Sequence, residues 1–257
     1  MSEKLDKLEF TLKNMKSVAV AYSGGIDSTF LLYEAQKVLG KNAIGILNVS
    51  PINSTRSTQS ARDTATIIGA DIIEISVIND KLKMNPRDRC YICKKSMMSE
   101  IKKIAKTLDI EYVVEGSIAD DDPSLRPGME ALGELGVLSP LKDVGLTKKE
   151  IRASSAEAGL PTANYVSGTC LMTRIPFGEE VNDKKLKAVE KAEEVLFSLG
   201  IFNQRVRCHE DLARIEVPCD LLEKVVAHRK YISCEFKKLG FKYICLDLEG
   251  YRSGSMD

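Results

Sequence analysis

Ser17-Val-Ala-Val-Ala-Tyr22 runs directly into Ser23-Gly24-Gly25-Ile26-Asp27-Ser28, and the fold is read outward from this stretch. A short, nearly continuous apolar run that ends in a glycine turn suits a parallel strand buried on both faces. Residues 26–39 follow as a helix, with Phe30, Leu31, Ala35 and Val38 on one face and Gly40 as its stop. The pattern then repeats. Strands are expected over 43–49, 71–77 and 111–116, and helices over 57–68, ending at Gly69, and over 93–108. Strand–helix alternation at this spacing predicts an α/β fold, a doubly wound parallel sheet.

Thr147-Lys-Lys-Glu150 has the spacing of a capping box and opens a helix over 147–158, which Gly159 and Pro161 stop. After a polar, glycine-containing stretch, the pattern changes. A helix over 183–199, strands over 204–209 and 212–217, a helix over 221–239 and a strand over 243–248 predict a smaller C-terminal α+β domain with an antiparallel sheet. The expected division is 1–160 and 161–257.

Composition narrows the function classes. Lys+Arg and Asp+Glu both number 37, so no global field advertises nucleic acid or an anionic membrane. No apolar run approaches the roughly 20 residues that span a bilayer. Met1-Ser2-Glu3-Lys4-Leu5-Asp6-Lys7 lacks the apolar core of a signal peptide, and the expected location is cytoplasmic. In that compartment the 7 cysteines read as thiols, metal ligands or catalytic groups rather than disulfides.

The hexapeptide has a direct chemical reading. Gly24 and Gly25 admit positive φ and let backbone N–H groups approach an anion. The helix that follows adds the positive end of its dipole, and Ser23 and Ser28 offer hydroxyls to the same phosphate oxygens. Asp27 suits such a site when Mg²⁺ lies between it and the phosphates. No Lys follows the glycines, so the motif is not a Walker loop. The stretch resembles the PP-loop ATP pyrophosphatases, which cleave ATP between its α- and β-phosphates and adenylate a substrate oxygen. That resemblance makes 1–160 the ATP pyrophosphatase domain and 161–257 a substrate or oligomerisation domain.

Further segments narrow the resemblance. They are Asp88-Arg89-Cys90-Tyr91-Ile92-Cys93-Lys94, Arg126-Pro127-Gly128 with Ser139-Pro140-Leu141, Cys170-Leu171-Met172-Thr173-Arg174-Ile175-Pro176-Phe177-Gly178, Arg205-Val-Arg207-Cys208-His209, and Gly250-Tyr-Arg-Ser-Gly254-Ser. With the loop, this ordered set resembles the LarE family of sulfur transferases over nearly the whole chain. The resemblance implies that ATP activates a carboxylate of pyridinium-3,5-biscarboxylic acid mononucleotide as an acyl-adenylate. Sulfur then displaces AMP to give a thiocarboxylate, a precursor of the nickel-pincer nucleotide. The implied partners are this mononucleotide and sulfide or another sulfur donor, and a homo-oligomer is expected.

In one branch of the family a cysteine at the Cys170 position surrenders its own sulfur. In another, three cysteines hold a 4Fe–4S cluster whose fourth iron carries sulfide. The sequence carries the pair Cys90 and Cys93 as well as Cys170, and a lone sacrificial cysteine has no need of the pair. The order of preference is the cluster, with Cys90, Cys93 and Cys170 as ligands, then sacrifice of Cys170. Structural zinc comes third, with Cys208 or His209 as fourth ligand, and inert buried thiols last. Cys219, Cys234 and Cys245 are expected to be small buried hydrophobes.

Arg205 and Arg207 share one face of an expected strand, and guanidiniums there suit the substrate phosphate. Arg126 and Arg174 are further anion-binding candidates, and Gly116 would let the backbone approach the nucleotide. The Asp120-Asp121-Asp122 loop reads as either a metal site or a solvated loop. His209 is a base, ligand or donor, and His228 a surface residue. The competing functions are a PP-loop tRNA thiolase, an amide synthetase resembling the NAD and GMP synthetases, and a non-catalytic nucleotide-binding regulator. Against the first stands the neutral charge, against the second the cysteine set, and against the third the intact Ser23, Asp27 and Ser28.

Overall fold

Val18–Tyr22 forms β1, and its side chains alternate as a strand requires. Val18, Val20 and Tyr22 enter one apolar cluster and Ala19 enters another. In the computed structural model, which describes residues 2–122, 128–164, 168–252 and 254–256, β1 lies inside a 4-stranded sheet of order β3-β2-β1-β4. Here β2 is Ala43–Asn48, β3 is Ile72–Ile75 and β4 is Tyr112–Val114, and every pairing is parallel.

Helices cover both faces. On the Val18 side lie α1 (Ser2–Met15) through Leu8 and Leu12, α2 (Ile26–Leu39) through Phe30 and Leu31, and α3 (Thr55–Ile67) through Ala61 and Ala65. On the Ala19 side lie α4 (Arg89–Thr107) through Met98 and Ile101, and α5 (Gly128–Leu135) through Leu132. The sheet is therefore parallel and buried on both sides, as the apolar runs require. α6 (Pro140–Asp143) and α7 (Lys148–Glu157) follow. Thr147 caps α7 in the capping box read from the sequence, its hydroxyl accepting from Glu150 N and Glu150 accepting from Thr147 N. α1 was not foreseen, although Leu5, Leu8 and Leu12 recur at helical spacing.

The chain divides into two compact units, Met1–Asp80 with Asp88–Gly168, and Lys81–Arg87 with Thr169–Asp257. In the second, α8 (Asp183–Ser198) precedes β5 (Arg205–His209) and β6 (Leu212–Glu216), then α9 (Leu222–Ala227), α10 (Arg229–Lys238) and β7 (Tyr243–Leu246). The 3-stranded sheet has the order β5-β6-β7.

β5 and β6 are antiparallel, with Arg205 opposite Glu216 and Arg207 opposite Arg214, but β6 and β7 are parallel. The expected all-antiparallel sheet is thus corrected to a mixed one. α9 and α10 form a crossover that returns the chain to the start of β6, and such a connection makes the joined strands parallel. The expected helix over 221–239 is also broken, at His228, whose Nδ1 lies 2.8 Å from Lys224 O.

Cys219, Cys234 and Cys245 are exposed rather than buried. α10 turns Ile232 and Phe236 inward, which points Cys234 away, and Cys245 shares the outer face of β7 with Tyr243. Among the described residues no helix is long and apolar enough to cross a membrane.

Candidate functional site

The loop after β1 is shaped by its neighbours. Gly24 has φ 72°, and a Cβ on it would lie 2.5 Å from Ala61 Cβ on α3. The Tyr22 hydroxyl donates to Ala61 O at 2.8 Å and fastens the same helix from below. Burial pushes that phenol up to about 12, against hydrogen bonds with Thr29 and Thr64. Gly25 is the N-cap of α2 and provides no side-chain cap. The first N–H groups of α2 thus open onto the loop without a capping side chain. Ser23 and Ser28 close the loop from either end, with their hydroxyls 2.9 Å apart and Ser23 N–H donating to Ser28 Oγ at 3.2 Å.

Gly116 belongs to the same place, beyond the end of β4. A Cβ there would lie 2.9 Å from Ser28 N, so its missing side chain makes room for the first turn of α2. That is a packing reason for the glycine. Sequence reasoning missed two neighbours. Lys148, the first residue of α7, brings Nζ to 2.5 Å from Asp27 Oδ2 while its backbone N–H donates to Asp120 Oδ2 at 2.6 Å. Glu115, buried just after β4, pairs with Lys94 at 3.1 Å and accepts from Ser139 Oγ at 2.6 Å and Ser117 N at 2.9 Å. Burial works to raise its pKa, but Lys94 and the two serines outweigh burial and hold it below the usual carboxylate value. The aspartate loop is built into the backbone: Asp120 serves Lys148, and Asp121 Oδ2 accepts from Ile118 N at 3.1 Å.

Cys90 and Cys93 both stand in the first turns of α4, which starts earlier than the expected 93. Residues three apart share a helix face, so the two thiols point the same way; Cys90 is exposed and Cys93 half-buried. Cys170 belongs to the second unit, where it precedes the 3-10 turn Leu171–Arg174. Among the described residues, neither unit by itself gathers three His, Cys, Asp or Glu side chains into a metal site.

Arg174 is buried and wraps the Cys170 turn. Its Nη1 donates to Thr169 O, Cys170 O and two threonine hydroxyls, and Nε and Nη2 pair with Glu193 at 2.8 and 3.1 Å. Asn85, fully buried, fastens the downstream side by donating from Nδ2 to Ile175 O at 2.7 Å and Pro176 O at 3.0 Å.

On β5, Arg207 donates through Nε and Nη2 to Glu216 Oε2 at 2.9 and 2.8 Å, and through Nη1 to Thr173 O. Glu216 is fully buried, and its other oxygen accepts from Arg214 at 2.9 Å. Arg207 is thereby neutralised by a neighbour that pairs across β5 and β6. Arg205 differs. It is also buried, yet among the described residues no carboxylate pairs with it; Nη1 donates to Gln204 O at 2.8 Å. Burial first, and the Arg174 charge second, lower its pKa. Burial also lowers His209 and raises Cys208.

The residues singled out in the sequence therefore fall into three groups. Ser23, Gly24, Gly25, Asp27, Ser28 and Gly116 meet at the β1 and β4 ends. Cys90 and Cys93 share a helix turn. Arg174, Arg205 and Arg207 gather in the second unit with Cys170, and Arg126 lies outside the described residues.

No family model matches the chain. It is 36% identical to an uncharacterised protein of Synechocystis sp., over 100% of this chain and 98% of that protein. It is 34% identical to an uncharacterised protein of Methanocaldococcus jannaschii, over 98% of each. Identity is 33% to the pyridinium-3,5-bisthiocarboxylic acid mononucleotide synthase of Lactiplantibacillus plantarum, over 100% of this chain and 95% of that enzyme. Full-length similarity at this level places the chain in the family of that synthase, the LarE family.

Proposed function

We propose that the chain is an ATP-dependent sulfur transferase that adenylates a carboxylate of pyridinium-3,5-biscarboxylic acid mononucleotide and replaces an oxygen with sulfur. The observation that carries this reading is the loop after β1. Its α2 N-terminus carries no side-chain cap, Gly24 holds it against α3, and an acid and a lysine face each other across it.

The chemistry follows from those groups. A carboxylate is a poor electrophile, and attack of its oxygen on the ATP α-phosphorus makes AMP the leaving group and expels pyrophosphate. The loop N–H groups and the hydroxyls of Ser23 and Ser28 stabilise the departing pyrophosphate. Asp27 would hold Mg²⁺, and Lys148, which pairs with Asp27, would offer its charge to the phosphate oxygens beside it. In the second unit Arg205 holds the mononucleotide phosphate, with Arg207 fixed beside it by Glu216. The cysteine donor set fits an iron–sulfur cluster, because three thiolates suit iron and Cys90 and Cys93 share a face. Cys90, Cys93 and Cys170 would be the ligands of such a cluster, and it would supply iron to carry sulfide.

A single-turnover assay with ATP and the biscarboxylic mononucleotide, with and without sulfide, tests the reading. Pyrophosphate release should require the mononucleotide, and the thiocarboxylate should require sulfide. Asp27→Asn should abolish pyrophosphate release; unchanged release would remove the loop from the mechanism. Thiocarboxylate formed without sulfide, together with loss of sulfur from Cys170 by mass spectrometry, would replace the cluster by a sacrificial cysteine.

A further inference from the structure

The C-terminal segment makes contacts that the reaction above leaves unused. Gly250 turns at φ 72°, and a Cβ there would lie 2.8 Å from Val217 O and 3.0 Å from Cys219 Sγ. Only glycine lets the chain press this closely against the residues after β6. Tyr251 N–H then donates to Val217 O at 2.8 Å, and the ring meets Arg205, whose guanidinium carbon is 4.9 Å from the ring centroid.

The segment is fastened again further on. Ser255 Oγ donates to Glu216 Oε1 at 2.8 Å and accepts from Arg207 Nη2 at 3.0 Å, while Arg214 Nη2 lies 3.4 Å from Met256 Sδ. The chain is thus anchored on both sides of Tyr251, by Val217 after β6 and by Arg207, Arg214 and Glu216 on β5 and β6. Arg205 itself holds Gln204 O through Nη1 and no carboxylate among the described residues. A guanidinium recognises phosphate through the donors at its edge, in its own plane. An aromatic ring over its face fixes that plane and leaves the edge open.

We propose that Tyr251 is a positioning residue of the anion site: its ring holds the Arg205 guanidinium edge-on to the phosphate monoester of the substrate, and the Ser255 and Met256 anchors hold the ring. The proposal rests on Arg205 as the phosphate ligand. In this arrangement Glu216 has a double role, neutralising Arg207 and Arg214 and tying down the segment that carries Tyr251.

Calorimetric titration of the full-length protein tests it, using the biscarboxylic mononucleotide and the same compound without its phosphate. Tyr251→Ala should weaken mononucleotide binding roughly three- to tenfold and leave the dephosphorylated compound unaffected, the range expected of a partly buried cation–π contact. Tyr251→Phe keeps the ring and should bind as the parent does. Equal weakening for both ligands, or wild-type binding by Tyr251→Ala, would overturn the proposal. Arg205→Ala separates the two levels. If it weakens the mononucleotide and Tyr251→Ala does not, only the role of Tyr251 falls; if neither variant changes binding, Arg205 is not the phosphate ligand.

Discussion

At the end of β1 the chain presents backbone N–H groups and glycines, with a single acid and a single lysine facing each other. Around Glu216 it does the reverse, gathering Arg207 and Arg214 about a fully buried carboxylate. Both places suit anions, but they are made from different materials. A backbone site depends on shape, because its donors cannot be removed by mutation and are lost only when the loop cannot close. A side-chain site depends on charge balance, because each guanidinium out of water must be matched by a partner. The first is broken by adding a methyl group and the second by removing a charge.

The strongest test of that contrast is Glu216→Gln. It leaves buried Arg207 without its counter-charge and Arg214 with only Asp247, 3.8 Å away, and should cost about 3–5 kcal/mol of stability, measured as the shift of a urea transition. A loss below about 1 kcal/mol would mean that water already screens the cluster.

Gly24→Ala comes next. It forces a side chain into positive φ and against Ala61, and the two penalties together should cost about 2–4 kcal/mol. Pyrophosphate release should fall with it, while mononucleotide binding at the arginine cluster stays as before.

The smallest effect is pH-dependent and belongs to Glu115. Its carboxyl is held below the usual carboxylate value, so the native state binds its proton less readily than the unfolded chain does. The stability it contributes is complete above about that value and is lost as pH falls through the lower native one. Glu115→Gln should therefore flatten the acid limb of the stability curve, by about 1 kcal/mol. An acid limb identical in the two proteins would show that Lys94 adds nothing to the folded state.

The parallel sheet was legible because its signals are local. Val18–Tyr22 is an apolar run too short for a helix, the helix stops at Gly40, Gly69 and Gly159 are glycines at positive φ, and Thr147 and Glu150 stand at capping distance. What was missed is long-range. The partnership of Lys148 with Asp27 spans 121 residues, and a lysine in a helix first turn carries no sign of it. Glu216 looks like any acid ending a strand until its cross-strand partners are known. The orientation of β7 had a sign in the sequence, since the expected helix over 221–239 between two strands of one sheet is long enough for a crossover. α1 was legible too, from the Leu5, Leu8 and Leu12 stripe. The serines and glycines of the loop could be read from their order in the chain, whereas the arginines could be found but not told apart. Glu216 neutralises Arg207 and not Arg205, and only the fold shows that.

The short strap Lys81–Arg87 has a consequence for how the chain is made. Its Asn85 seeks Met172 O, 87 residues later, and Ile175 O, 90 residues later. At about 5–20 residues per second on the ribosome, the strap emerges and then waits roughly 5–20 s for its partners. During that interval the sheet of the first unit can form around a segment that belongs elsewhere, and a buried asparagine stays in water. The second unit closes late, by recruiting a piece of chain synthesised well before the rest of it, so a ribosome-arrested chain ending shortly after α7 should leave the strap open to protease.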